Sequence, residues 1–323
     1  MTLRNRSLIP LAIIGLLSMF AIACGGSAEE AADSSSAPTT VPTRVVIAVT
    51  QASIAPTPTV GAVVRVEGEP ALLVLRYTDR SIEVPEIVPA GLTTIRLQND
   101  GSSPHSISVL RVRDRHTPAE LKIGSLNRNF PTAWAPPLAT IWAVQPGEST
   151  EFTVRLVPGT HAATDWSSDA SGIPWTAFGL YAGFEVVEET SVAIEWPTDV
   201  IEIGVEDFKF TGLTDLKAGE HKFMFKNTST DQLHELVFVP LDDGLTAQDL
   251  FGEFRYRVRD ERIDSAMEGA FGIGYIGWGE TVVHSLNIPA GEYAVVDLAP
   301  SEFSFGAPPH VSMGMLEQIT VRE

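Results

Sequence analysis

Cysteine is almost absent. Cys24 is the only one in 323 residues, so no disulfide can form within the chain, and beyond residue 24 no thiolate can act as nucleophile or metal ligand. Basic residues are few. Lys and Arg number 22 against 41 Asp and Glu, a formal net charge of −19, which excludes the electrostatic footprint of a nucleic-acid binder. Long apolar runs are missing too. The longest at the N-terminus, Leu8 to Ile22, is short for a membrane span. There is no G-x-S-x-G elbow and no phosphate-cradling glycine loop. "HELVF" at 234–238 opens like a zinc-protease helix but has Phe238 where the second histidine would stand. The reading is therefore of a protein that is not an enzyme.

What is present points to export. Arg4 and Arg6 precede the apolar stretch, and "AIAC" (21–24) resembles a bacterial lipobox, whose cysteine is lipidated and becomes the first mature residue. Residues 1–23 read as a lipoprotein signal peptide with Cys24 as the lipidation site. Residues 24–60, rich in Ser, Thr, Ala and Pro, read as a disordered tether that cannot bury a core. The expected location is extracytoplasmic, on the cell membrane through the lipid. No nucleic-acid partner is expected, and a protein or glycan partner is left open.

The remainder is abundant in Val, Ile, Thr, Gly and Pro, with little helical periodicity, and reads as all-β. It also repeats. "GLTTIRLQND" from Gly91 matches "GEHKFMFKNT" from Gly219, each with Asn eight positions after its Gly, Asn99 and Asn227. A histidine then opens the next strand, His105 in "HSISVLRV" and His234 in "HELVFVPL". "PGESTEFTVRLVPGTHAATD" (146–165) lies without a gap over "WGETVVHSLNIPAGEYAVVD" (278–297). "PWTAFGL" (174–180) lies over "PHVSMGM" (309–315). Matches in one order and at nearly one offset indicate a duplication, copy one at 61–190 and copy two at 191–323. Each copy carries an insert with helix-start chemistry: Thr117, Pro118 and Glu120 in one, Thr246 and Asp249 in the other. One short helix per copy is expected.

Alternation places His234, Leu236 and Phe238 on one strand face and Glu235, Val237 and Val239 on the other. In copy one His105, Ile107 and Val109 share a face while Ser106 and Ser108 look outward. Both histidines thus lie on apolar faces, where an imidazole needs a ligand or a hydrogen-bond partner. Asp165 and Asp297 are the expected partners. Trp134, Trp142, Trp166 and Trp175 crowd copy one and are expected to cover the insert or fill the core.

Strand, G-x7-N, a histidine-led strand, a Gly-Glu turn, "PAGEY", then "PHxxxGM" before the last strand resembles the cupredoxins, and more narrowly exported proteins that end in "PHxxxGM". The resemblance implies two tandem Greek-key β-sandwiches. Blue-copper members hold copper with two histidines, a cysteine thiolate and a weak axial methionine. Carried onto copy two, the resemblance implies His234, His310 and Met315. Asp297 stands four residues after Tyr293, at the cysteine position. In copy one the same positions are His105, Asp165, Trp175 and Leu180, so that metal site is lost. For copy two, copper on His234, Asp297, His310 and Met315 stands beside a metal-free histidine–aspartate pair, and beside an electron carrier. Met313 is a further sulfur on the same loop.

Overall fold

The computed structural model describes residues 63–113, 115–122, 133–189, 194–206, 208–302 and 307–323. The signal segment, Cys24 and the tether lie outside the described residues. Among the described residues no helix is long and apolar enough to cross a membrane.

Copy one supplies β1 (Val63–Val64), β2 (Ala71–Tyr77), β3 (Ile82–Glu83), β4 (Ile87–Pro89), β5 (Gly91–Asn99), β6 (His105–Arg111), β7 (Pro137–Val144), β8 (Ser149–Leu156), β9 (Gly159–Asp165) and β10 (Tyr181–Val187). Copy two supplies β11 (Ile201–Glu206), β12 (Lys209–Thr211), β13 (Gly219–Asn227), β14 (His234–Pro240), β15 (Phe271–Ile276), β16 (Thr281–Ile288), β17 (Gly291–Val296) and β18 (Leu316–Val321). Consecutive strands cross between sheets in Greek-key fashion, as β13 to β14 and β15 to β16 to β17 do. The all-β expectation holds.

Each copy packs two sheets face to face. In copy two β12-β11-β13-β16 faces β15-β14-β17-β18; in copy one the β2-β5-β8 group faces β4-β10-β9-β6-β7. The apolar faces between them, among them Leu75, Ile95, Phe152, Phe223, Phe225 and Phe238, form the buried core. Burying each such side chain contributes about 1.5–3 kcal/mol. Asn99 and Asn227 act identically in the two copies. The Asn99 amide donates to the carbonyls of Ser103 and Val144, that of Asn227 to Gln232 and Ile276, all at 2.8–3.1 Å. The repeated G-x7-N motif is therefore a pin between the strand end and the loop that leads to each histidine.

The two copies share a sheet. β8 pairs antiparallel with β16, Val282 opposite Val154 and His284 opposite Phe152, which makes one nine-stranded sheet. Across this seam the His284 Nδ1–H donates to the Glu151 carbonyl at 2.8 Å. Beside it the Gly277 N–H donates to the Pro137 carbonyl at 2.7 Å, and a side chain at Gly274 would run into the Trp142 indole. The pairing removes an edge from each copy. Three of the four tryptophans sit as expected, Trp175 on the main core and Trp134 and Trp166 on a satellite cluster, whereas Trp142 packs against copy two.

Two expectations need correction. Copy two carries two helices, not one: α1 (Ala247–Tyr256), with the Thr246/Asp249 capping box, and α2 (Glu261–Glu268), capped by the Asp260 carboxylate on the Arg262 N–H. The cap and the following Gly269 were legible start and stop signals. Secondly, Ser108 does not face solvent. Ser108 is buried on Thr140, and Glu235 is 2% exposed. The outer face of β14 is covered because Leu250 of α1 and Ile263 of α2 pack with Val237 and Val239 into a second apolar layer. Copy one's capping residues do meet, the Thr117 N–H donating to the Glu120 carboxylate at 2.6 Å. Most of its insert lies outside the described residues.

Candidate metal centre

Three adjacent strands end at one place. β14 begins with His234, β17 runs straight into Asp297, and Met315 immediately precedes β18. Register fixes this, because Val237 pairs with Val296 and Val296 with Leu316. His310 arrives on a 3₁₀ turn, His310–Met313, tied down at both ends. Its N–H donates to the Ala299 carbonyl at 2.9 Å, and its carbonyl accepts from the Met315 N–H at 3.1 Å. Gly314 closes the turn at φ 101°, a conformation few other residues adopt.

The side chains converge on one oxygen. Asp297 Oδ2 lies 2.5 Å from His234 Nδ1 and 3.0 Å from His310 Nδ1. Asp297 Oδ1 accepts the backbone N–H groups of Glu235 at 3.2 Å and Ala299 at 2.8 Å. One ligand atom from each of the three residues lies within 4.8 Å of the others, and all three residues are buried. His234 is 1% exposed and Asp297 and His310 are 0% exposed, so none of the three faces bulk water. The second imidazole does not point outward, and the two rings lie 4.9 Å apart.

The donor set fits a metal ion. Bonds of about 2.0–2.2 Å from nitrogen and oxygen to one ion put neighbouring ligand atoms roughly 3 Å apart. The 3.0 Å separation at His310 matches that spacing, and the 2.5 Å contact at His234 is a short hydrogen bond that a bound ion would have to open. His310 Nε2 lies 3.3 Å from Gln232 Oε1, and Nδ1 is the ring atom that faces the Asp297 oxygen. Met315 is 1% exposed and packs in the main core. Met313 turns away, 43% exposed, and joins no inward sulfur pair.

Glu235 was not singled out by the sequence. Burial raises its carboxyl far above the ordinary range. The nearby Asp297 charge adds to this, and the Leu298 N–H opposes it. Its Oε2 has no hydrogen-bond partner.

Copy one repeats the scaffold without the second imidazole. The Asp165 N–H donates to the Leu180 carbonyl and the Leu180 N–H to that of Trp175, as Asp297, Met315 and His310 do in copy two. Trp175 meets His105 edge-on at 4.7 Å. His105 donates from Nδ1 to Asp165 at 2.8 Å and from Nε2 to Asp79 at 3.1 Å. Each nitrogen faces its own carboxylate, so these groups make an ion triad rather than a shared metal pocket. Burial alone would depress the His105 pKa. The hydrogen bonds and charges of Asp165 and Asp79 outweigh it and raise it above the ordinary value. The pKa of this imidazolium is higher folded than unfolded, so its stabilisation is full below pH about 6.5 and is lost as pH rises through the folded value. Thermal melts from pH 5 to 9 are expected to show the wild type losing its margin over His105→Gln as pH rises. A margin constant with pH would refute the charged triad.

No protein-family model matches the sequence, and no curated protein matches it. Solved structures that align with it include reduced auracyanin from Roseiflexus castenholzii. That alignment covers 36% of this chain and 96% of that one, at 15% identity and a TM-score of 0.27. Auracyanin A, a blue copper protein from Chloroflexus aurantiacus, aligns over 38% of this chain and 98% of its own, at 21% identity and a TM-score of 0.24. Copper nitrite reductase from Nitrosomonas europaea aligns over 79% of this chain and 95% of its own, at 15% identity and a TM-score of 0.23. At these scores nothing about chemistry transfers. The cupredoxin-like description rests on the strand order and the repeated histidine loops of this chain.

Proposed function

We propose that this chain is an exported binding protein that holds copper in copy two, through His234, Asp297, His310 and Met315. The observation that carries the reading is the convergence of two buried imidazole Nδ1 atoms on one buried carboxylate oxygen. Two imidazoles and one carboxylate suit Cu(II) or Zn(II). With a carboxylate in place of the thiolate, the copper would lack the covalency of a blue site, which speaks against a rapid electron carrier. Copy one is read as metal-free, its imidazole held by two carboxylates and its second ligand replaced by Trp175.

The proposed organisation is a signal at 1–23, a lipidated Cys24, a tether at 24–60 and the two sandwiches at 61–190 and 191–323. The lipid would be the contact with the membrane, and the protein is read as having no catalytic role. The second reading is a metal-free cell-surface module with a protein or glycan partner. It is favoured by the complete hydrogen bonding of Asp297, which accepts four donors without a metal.

Titration calorimetry with Cu(II), beside His310→Ala, separates the two. One ion per chain, with affinity lost by at least about a hundredfold in the variant, is expected for the metal site. Equal weak binding by both proteins would leave the metal-free module.

A further inference from the structure

The two imidazoles of copy two are roofed by one side chain whose backbone is unusual. Phe208 adopts φ 60°, in the left-handed region, where a bulky residue is an outlier. The other non-glycine residues in that region among those described are Ala143, Asp215, Asp243 and Arg257, so Phe208 is the one aromatic. Its ring stands edge-on to His310 at 4.8 Å between centroids and to His234 at 6.2 Å, with interplanar angles of 86° and 77°. Phe208 itself is 39% exposed, while His234 is 1% and His310 0% exposed. One side of the residue therefore faces water and the other faces both candidate ligands. Phe208 stands in the tight connection between β11 and β12, where Glu206 pairs with Lys209, and turns this short favour positive φ.

Copy one lacks this arrangement. Val205 pairs with Asn227 as Tyr77 pairs with Asn99, so three residues further on Arg80 holds the position of Phe208. The Arg80 guanidinium lies over the Phe178 ring at 5.7 Å, and Trp175 fills the place of the second imidazole. The apolar roof occurs in the copy that keeps both histidines.

We propose that Phe208 is the gate of the copy-two site. Its ring is the movable wall through which an ion reaches the two Nδ1 atoms, and it keeps water and small anions from the bound ion. This rests on the copper reading above. The Phe208 ring is the part that must yield, because His234, Asp297 and His310 are fixed by strand register and by the tied 3₁₀ turn. The gate governs rates, since the ring supplies no donor atom.

The test compares the full protein with Phe208→Gly and Phe208→Leu. Glycine adopts φ 60° without strain, so that variant keeps the backbone, and leucine restores apolar cover. Metal-free protein is treated with diethyl pyrocarbonate, and modification of His234 and His310 is read by peptide mass spectrometry. Copper uptake and its removal by EDTA are followed by stopped flow. Labelling and both copper rates are expected to rise at least about tenfold in Phe208→Gly and to return toward wild type in Phe208→Leu, while copper affinity changes by less than about threefold. Unchanged labelling in Phe208→Gly overturns the gate whether or not copper binds. Copper bound by all three proteins at one rate also overturns it and leaves the copper reading intact. Accelerated labelling in a protein that takes no copper upholds Phe208 as the wall and rejects the copper reading.

Discussion

Asp297→Ala is expected to cost about 3–5 kcal/mol of folding stability and to abolish copper binding. The carboxylate is fully buried and accepts four donors: two imidazole nitrogens and the N–H groups of Glu235 and Ala299. Its removal leaves both imidazoles and two backbone donors without their acceptor in a core that admits no water freely. The same group is the only ionised candidate ligand, so the remaining imidazoles would face copper without a counter-charge. Urea denaturation gives the stability loss, and calorimetry gives the loss of binding. Asp297→Asn is the sharper control. It keeps the volume and one acceptor but not the charge, so more of the stability than of the copper affinity is expected to survive. Loss below about 1 kcal/mol in Asp297→Ala would mean that the carboxylate does not organise the site.

Much of this site was legible in the sequence, for a physical reason. Strand alternation fixed the face of His234, the duplication aligned Asp297 with Asp165, and the resemblance to the cupredoxins implied His310 and Met315. Turn geometry and ladder register tie such residues together, so their spacing carries the information. Three participants were not read. Asp79 meets His105 across a turn 26 residues upstream, and it is the register of β2 against β5 that brings it there. Glu235 was placed on the face opposite His234, but alternation says which face a side chain takes, not what covers that face. The covering comes from Leu250 and Ile263, on the two helices that follow the histidine strand and pack back on it. Phe208 follows a strand end and adopts a left-handed backbone that nothing in its residue type announces. Sheet fusion through β8 and β16 was likewise hidden, since an edge strand that will be paired between copies reads like any half-buried strand.

Asp297→Cys tests the centre from the opposite side, by restoring the thiolate. The replacement is expected to turn the copper-loaded protein intensely blue, with a charge-transfer band that the wild type lacks. Both imidazoles already meet at this carboxylate. His234 and His310 direct Nδ1 to the place now held by Asp297 Oδ2, and Met315 lies directly before β18 with its N–H bonded to the His310 carbonyl. Burial, which excludes water from the two histidines, is the condition under which a copper–thiolate bond keeps its covalent character. A thiolate is a weaker acceptor than a carboxylate, so the Glu235 and Ala299 N–H groups lose part of their satisfaction and the variant should be less stable than the wild type by about 1–3 kcal/mol. Asp165→Cys in copy one is the internal control. Trp175 and Leu180 stand there in place of the second histidine and the methionine, so the same thiol should give no blue band. Colour in both variants would show that the second imidazole is dispensable, and colour in neither would show that the imidazoles of copy two do not close on a metal. Colour in Asp297→Cys alone would locate the difference between the copies in two side chains, His310 against Trp175 and Met315 against Leu180, carried on one shared scaffold.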